Sequence, residues 1–258
     1  MKTGELEGKY ALITGASRGL GQALSVDFAR EGAAGLALVS RSGRVPRSQG
    51  RRDDIEIGTK TKILPIVADL GRPEEIERIV ALTLNEFNGK LDVLVNNASA
   101  LGPTPMPLLV DYPLNDFRKV LDTNLIAPFL LIKKLLPALR ESNGSIVNVT
   151  SDAGRHGYPG WGAYGISKFG LEGLSQTLAA ELKDEVRVNV VDPGDMNTAM
   201  HRAAEPHEDP SQWADPADLT KVFIYLASDE SRGVTGRRFL AQSKKWNQHR
   251  VARQEAAR

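Results

Sequence analysis

Tyr10-Ala11-Leu12-Ile13-Thr14-Gly15-Ala16-Ser17-Arg18-Gly19-Leu20-Gly21 is the stretch that decides the fold. An apolar run of strand length leads into a glycine-rich turn. The turn opens a helical pattern that closes at Gly32. Strand, glycine turn and helix follow one another without a gap. The glycines are spaced G-x-x-x-G-x-G, a variant of the commoner G-x-G-x-x-G dinucleotide fingerprint. Small residues let a backbone approach a pyrophosphate, and the free N–H groups of a helix start face its charge. A glycine turn without a ligand has the same local pattern, so the rest of the chain must decide between the two.

Outward from this stretch, short apolar runs alternate with helical patterns. Predicted strands are 9–14, 35–40, 62–68, 91–96, 144–150, 186–192 and 235–240. Several are unbroken blocks, such as Ser145-Ile146-Val147-Asn148-Val149-Thr150, which suit a parallel sheet covered on both faces. Predicted helices are 19–32, 73–88, 114–140, 162–183 and 216–228. Pro73 followed by Glu74 and Glu75 is a good helix start. The alternation predicts an α/β fold, one doubly wound parallel sheet of about seven strands with helices on both faces. A single domain is expected over 1–241, followed by a basic tail over 242–258. Residues 41–61 hold Gly43, Pro46, Gly50 and Gly58 among five arginines, a poor composition for a covering helix. A short helix or a mobile loop is expected there.

Composition narrows the function classes. The chain has 258 residues, 41% of them apolar, enough for a full core. Its net charge of +1 selects neither nucleic acid nor an anionic membrane. There is no cysteine, which removes disulfides, thiolate metal sites and cysteine nucleophiles. No apolar run approaches the roughly 20 residues of a membrane span, and no apolar leader is visible at the N-terminus. A cytoplasmic protein is expected, with no membrane and no nucleic-acid partner. The four histidines show no metal-ligand spacing, so no metal is expected.

Tyr164 and Lys168 stand four residues apart, about one helical turn, so the phenol and the ammonium share a face. An adjacent cation favours the phenolate and lowers a value ordinarily near about 10. The pair reads as a proton donor and acceptor tuned toward working pH. Ser151 lies thirteen residues upstream of the tyrosine.

These features together resemble the short-chain dehydrogenase/reductase family, in its core subgroup. The resemblance runs from Gly8 to Leu240 and rests on motifs in the family's order. They are the glycine turn at 14–21, Asp69 after a strand, Asn96-Asn97-Ala98, Asn124, Ser151, Tyr164 with Lys168, and Pro193-Gly194 followed by Thr198. It implies a Rossmann-like fold and a nicotinamide dinucleotide. The implied chemistry is hydride transfer between the nicotinamide and a small-molecule carbonyl or secondary alcohol. Tyr164 would be general acid/base, Ser151 a hydroxyl donor to the same oxygen, Lys168 a ribose contact, and Asn124 the holder of a water linking Lys168 to solvent. The cofactor would meet Gly15, Ser17, Arg18, Gly19, Leu20 and Gly21 in the first turn, and Ser40 and Arg41 after the second strand. Further contacts would be Asp69 and Leu70 at the adenine, Asn97 and Ala98, Tyr164 and Lys168, and Pro193, Gly194, Met196 and Thr198 near the carboxamide. The second strand ends in Ser40-Arg41 with no carboxylate to repel a 2′-phosphate, and Arg18 is a second cation within reach. NADP(H) is therefore favoured over NAD(H).

The resemblance also implies a substrate lid over 194–215 and a homodimer or homotetramer through the helices around 114–140 and 162–183. The same apolar faces would serve ordinary packing on the sheet. Two alternatives stand beside the carbonyl reductase: a 3-oxoacyl-carrier-protein-type reductase, and a non-catalytic NADP(H)-binding regulator. The last strand departs from the family's usual aspartate-glycine ending, reading Gly236-Arg237-Arg238-Phe239-Leu240 and then Ala241-Gln242.

Overall fold

Successive residues of a strand point to opposite faces, and in this chain both faces are apolar. In β1 (Tyr10–Thr14), Ala11 and Ile13 enter one core while Leu12 enters the other. In β2 (Gly35–Ser40), Leu36 and Leu38 alternate in the same way with Ala37 and Val39. The computed structural model describes residues 4–45 and 60–246. Its other strands are β3 (Lys62–Val67), β4 (Val93–Asn96), β5 (Ser145–Val149), β6 (Arg187–Asp192) and β7 (Arg238–Leu240). All pair in parallel, in the order β3-β2-β1-β4-β5-β6-β7. The chain reverses its direction of travel across the sheet between β1 and β4. Ligands bind in the crevice that such a switch point opens at the carboxyl ends of the strands.

One core packs α1 (Gly19–Arg30) and α7 (Lys221–Ala227) on the sheet. Phe28 of α1 is fully buried there, and truncation to alanine would cost about 3–5 kcal/mol. The other core packs α2 (Glu75–Glu86), α4 (Ala127–Glu141) and α5 (Gly162–Glu181) through residues such as Ile79, Leu135 and Ala179. Helix α1 stops before Gly32, whose φ of +86° suits the left-handed ending that glycine accepts most readily.

Three expectations about helices are corrected. The helix predicted over 114–140 is broken into α3 (Leu114–Leu121), a π-helical turn at Asp122–Ile126, and α4. Asn124 inside the turn is drawn off the helix by hydrogen bonds to both main-chain groups of Ala100 and to Ser167. The helix predicted over 216–228 is a 3-10 turn at Pro216–Asp218 followed by the shorter α7. A short helix, α6 (Ala199–Ala204), lies where none was predicted and is capped by Thr198, whose hydroxyl accepts the His201 N–H at 3.2 Å. Most of 41–61 and the tail beyond Trp246 lie outside the described residues.

Candidate active site

The first βα turn is shaped for an anion. Gly15 and Gly19 have φ of +69° and +56°. A Cβ at Gly21 would lie 2.3 Å from the Gly15 carbonyl oxygen, so the turn closes only with glycine there. Helix α1 begins without a side-chain cap and without an acidic residue in its first turn. Its leading N–H groups have no intrahelical acceptor, which suits a pyrophosphate. Ser17 and Leu20 complete this turn, and Arg18 is exposed at the N-cap. Ser40 is buried at the end of β2 with its hydroxyl accepting the Gly43 N–H, and Arg41 is exposed beside it.

Thr14 ties this turn to the end of β4. Its hydroxyl donates to the Val95 carbonyl and accepts the N–H groups of Asn97 and Ala98, each at 3.0 Å. The Asn97 amide donates to the Thr14 carbonyl at 2.8 Å. Asn96 points into the second core and donates to Asn148, which donates in turn to Ser175. Asp69 accepts the Gly71 N–H at 3.0 Å, a turn contact that leaves its carboxylate exposed; Leu70 beside it is buried. Pro193 is buried and Gly194 takes a φ of +66°. Met196 is bridged to Ala214. A Cβ on Gly19 would meet the Thr198 methyl at 3.2 Å, so the Pro-Gly loop faces the glycine turn across the crevice.

Four candidate catalytic residues line the continuation of this edge. Ser151 follows β5 and caps the 3-10 turn Asp152–Gly154; its hydroxyl donates to Asp152 at 2.8 Å. Tyr164 lies in the first turn of α5, half-buried, with the Trp161 ring edge-on at 5.4 Å. Lys168 is 2% exposed; its Nζ donates to the Val149 carbonyl at 2.8 Å and lies 5.4 Å from the Tyr164 ring centroid. Asn124 sits inside the π-helical turn. Its amide donates to the Ala100 carbonyl at 2.9 Å and to the Ser167 hydroxyl at 2.9 Å, and its oxygen accepts the Ala100 N–H at 2.7 Å. Such turns interrupt helices where a side chain must be aimed. Ser167 donates to the Tyr164 carbonyl, so Asn124 braces the turn that carries the tyrosine.

The electrostatics correct one expectation. Lys168 does not hold the Tyr164 phenol below its ordinary value. Burial pushes the phenol well above it, a Ser151 hydrogen bond works against that, and the Asp192 and Asp152 charges add to the rise. Burial also pulls the Lys168 ammonium down to about 8, with Asp192 opposing. For Tyr164 desolvation outweighs the Ser151 hydrogen bond, and for Lys168 it outweighs the attraction of Asp192. The Tyr164 phenol is thus neutral over the working range, and the Lys168 ammonium is held at about 8.

The sequence model of the short chain dehydrogenase family matches residues 9–209. The uncharacterized oxidoreductase YciK of Escherichia coli K12 is 34% identical over 238 residues, covering 92% of this chain and 93% of that protein. The chain belongs to the short chain dehydrogenase family. Another relative, the 3-oxoacyl-[acyl-carrier-protein] reductase FabG of Thermotoga maritima, is 36% identical over 244 residues, covering 90% of this chain and 95% of that one. A short chain dehydrogenase from Shigella flexneri 2a, solved in complex with NADP, superposes with a TM-score of 0.81 at 32% identity, over 94% of this chain and all of that one.

Within this family fold, a cavity of about 410 Å³ has none of the four residues in its lining. Leu108–Val110, His156–Gly162 and the outer face of α5 at Ile166 and Phe169 line it. His201 is held edge-on to Trp213 at 4.3 Å. Among the described residues, no cluster of His, Asp or Glu could hold a metal ion, and no helix is long and apolar enough to cross a membrane.

Sequence reasoning missed four polar residues beneath the site. Glu172 and Asp192 are buried, Arg238 bridges them, and Gln242 donates to the Pro193 and Asp195 carbonyls. The available signal was a cation opening an apolar strand and a carboxylate closing another.

Proposed function

We propose that the protein is an NADP(H)-dependent oxidoreductase acting on a small-molecule carbonyl or secondary alcohol. The observation that carries this reading is the gathering of Ser151, Tyr164 and Lys168 at one end of a crevice whose other end is an uncapped glycine turn. Reduced nicotinamide, when bound, supplies a hydride. Tyr164 gives its proton to the carbonyl oxygen as the carbon takes that hydride, and the product is the alcohol. A neutral phenol is the form this step needs. Ser151 donates to the same oxygen and stabilises the charge that builds on it. A hydroxyl has one proton, so its hydrogen bond to Asp152 must turn toward substrate. Lys168, protonated below about 8, faces the phenolate that Tyr164 becomes and supports its reprotonation.

Gly15 to Gly21 would hold the diphosphate, and Arg18 and Arg41 the 2′-phosphate. Ser40, Asp69 and Leu70 would flank the adenosine, and Asn97, Ala98, Pro193, Gly194, Met196 and Thr198 the nicotinamide side. The NADP-bound Shigella relative supports the choice of cofactor. Residues 194–215 would be the substrate lid.

A second reading, a 3-oxoacyl-carrier-protein-type reductase, is favoured by the likeness to the Thermotoga FabG and by exposed Arg155 and Arg202. Activity on an acyl-carrier thioester far above that on simple ketones would select it. A homodimer or homotetramer through the helices at 114–140 and 162–183 is also part of the proposal. Ile126, Phe129, Ile166 and Phe169 are exposed apolar side chains on these two helical segments and support it. An NADPH-consumption screen over carbonyl compounds tests the whole reading, with Tyr164→Phe as control. Equal rates for the variant would remove the proton-transfer role.

A further inference from the structure

Arg238 opens β7 opposite Val190 of β6. Asp192 lies two residues further along β6 and so points to the same face. The Arg238 guanidinium donates through Nε to Glu172 at 3.0 Å, through Nη2 to Asp192 at 2.7 Å, and through Nη2 to the main-chain carbonyl of Ser151 at 3.2 Å. The three side chains are only 17%, 9% and 7% exposed. Glu172 lies one turn beyond Lys168 on α5 and also accepts the Thr150 hydroxyl at 2.9 Å. The other Asp192 oxygen accepts the Gly194 N–H at 2.9 Å. One planar fork therefore joins the end of β5, the middle of α5, the end of β6 and the Pro-Gly loop. A guanidinium suits this task because its donors are fixed in one plane and its charge survives burial.

We infer that Arg238 and Asp192 are a positioning pair for proton transfer: the fork fixes the peptide that carries Ser151 and, through Asp192 and the Gly194 N–H, the Pro-Gly loop. This rests on the proton-transfer reading above. The charged and titratable groups around the pair are Asp152 and Tyr158 on the Ser151 side, Tyr164, Lys168 and Glu172 on α5, Asp192 on β6 and Arg238 on β7. The Asp192 charge raises both Tyr164 and Lys168. Its removal must lower both. A pair that merely stapled β7 to the sheet would alter melting and nothing else.

The test uses Arg238→Lys, Arg238→Met and Asp192→Asn, each with its melting temperature and its NADPH dissociation constant. Asp192→Asn keeps the acceptor for Gly194 and loses the charge. Its kcat/KM profile should break at lower pH than the wild type, and the Lys168 midpoint, followed by nitrogen NMR with Lys168→Met as assignment control, should move the same way. Arg238→Met should lose about 10²-fold in kcat, the scale of an ångström-sized misplacement, while its NADPH dissociation constant stays within about threefold. Arg238→Lys should recover part of that loss. If Arg238→Met does not fold, Arg238→Lys and Asp192→Asn decide. Lower melting temperatures with unchanged kcat and an unmoved pH profile would overturn the positioning pair alone, provided Tyr164→Phe is inactive. A fully active Tyr164→Phe would overturn the proposed function and the pair with it.

Discussion

Lys168 gives its ammonium to the Val149 carbonyl at 2.8 Å, and the ring of Tyr164, one turn earlier on α5, is centred 5.4 Å from the same nitrogen. Backbone and aromatic face thus hold the cation in a place from which water is excluded. Burial brings it down to about 8. Carbonyl reduction should therefore fall away as pH rises through about 8, when the charge facing the Tyr164 phenolate is lost. A kcat/KM profile measures this, and Lys168→Met should abolish the break with a loss of about 10²-fold or more below it.

The same burial makes a stability prediction with a definite sign. A lysine whose folded value is depressed binds fewer protons in the native state than in the unfolded one, so its contribution grows with pH. The Lys168 contribution should be fully present above the unfolded value of about 10.4 and lost as pH falls through about 8. Tyr164 acts oppositely: its folded value is raised, so its contribution is present below about 10 and is lost as pH rises beyond that. Denaturant unfolding of wild type and Lys168→Met across pH 7–11 checks the first term; a flat difference would contradict it.

Asn124 satisfies both main-chain groups of Ala100 and braces Ser167. Asn124→Ala leaves those partners in a largely dry place, at a cost of about 1–3 kcal/mol. In a chain of this size that lowers Tm by roughly 2–4 °C per kcal/mol. Calorimetry should find the drop, and kcat should fall because the Tyr164 turn loses its brace.

Arg18 and Arg41 are the two cations proposed above to meet the 2′-phosphate. Replacing either by alanine should weaken NADPH binding by about 10- to 100-fold, the worth of a charge-assisted hydrogen bond, and leave NADH binding nearly unchanged. Fluorescence titration of both nucleotides reads this. Equal loss for the two would mean that the arginines act on the diphosphate or the fold.

Ile166 and Phe169 are 41% and 47% exposed on α5. Phe169→Asp should lower the oligomeric state seen by light scattering, and a wild-type monomer at micromolar concentration would contradict the interface.

The strands were legible because a sheet covered on both faces needs unbroken apolar blocks, and Tyr10–Thr14 and Ser145–Val149 are such blocks. The Tyr164–Lys168 spacing was legible because a helix turns Tyr164 and Lys168 to one face whatever surrounds them. Their proton affinities were not legible: burial against the sheet edge is a tertiary property, and it reversed the direction expected for Tyr164. The π-helical turn escaped because Asn124 earns its geometry from Ala100 and Ser167, far away in sequence. Arg238 escaped for the same reason, since Glu172 and Asp192 reach it only after β6 and β7 pair.

The most direct measurement is NADPH oxidation by wild type and Tyr164→Phe on one carbonyl substrate, with NADPH affinity measured in parallel. A loss of about 10²- to 10⁴-fold in kcat with unchanged NADPH affinity is the result predicted. A variant that reduces the carbonyl as fast as the wild type would contradict the assignment of the proton to Tyr164.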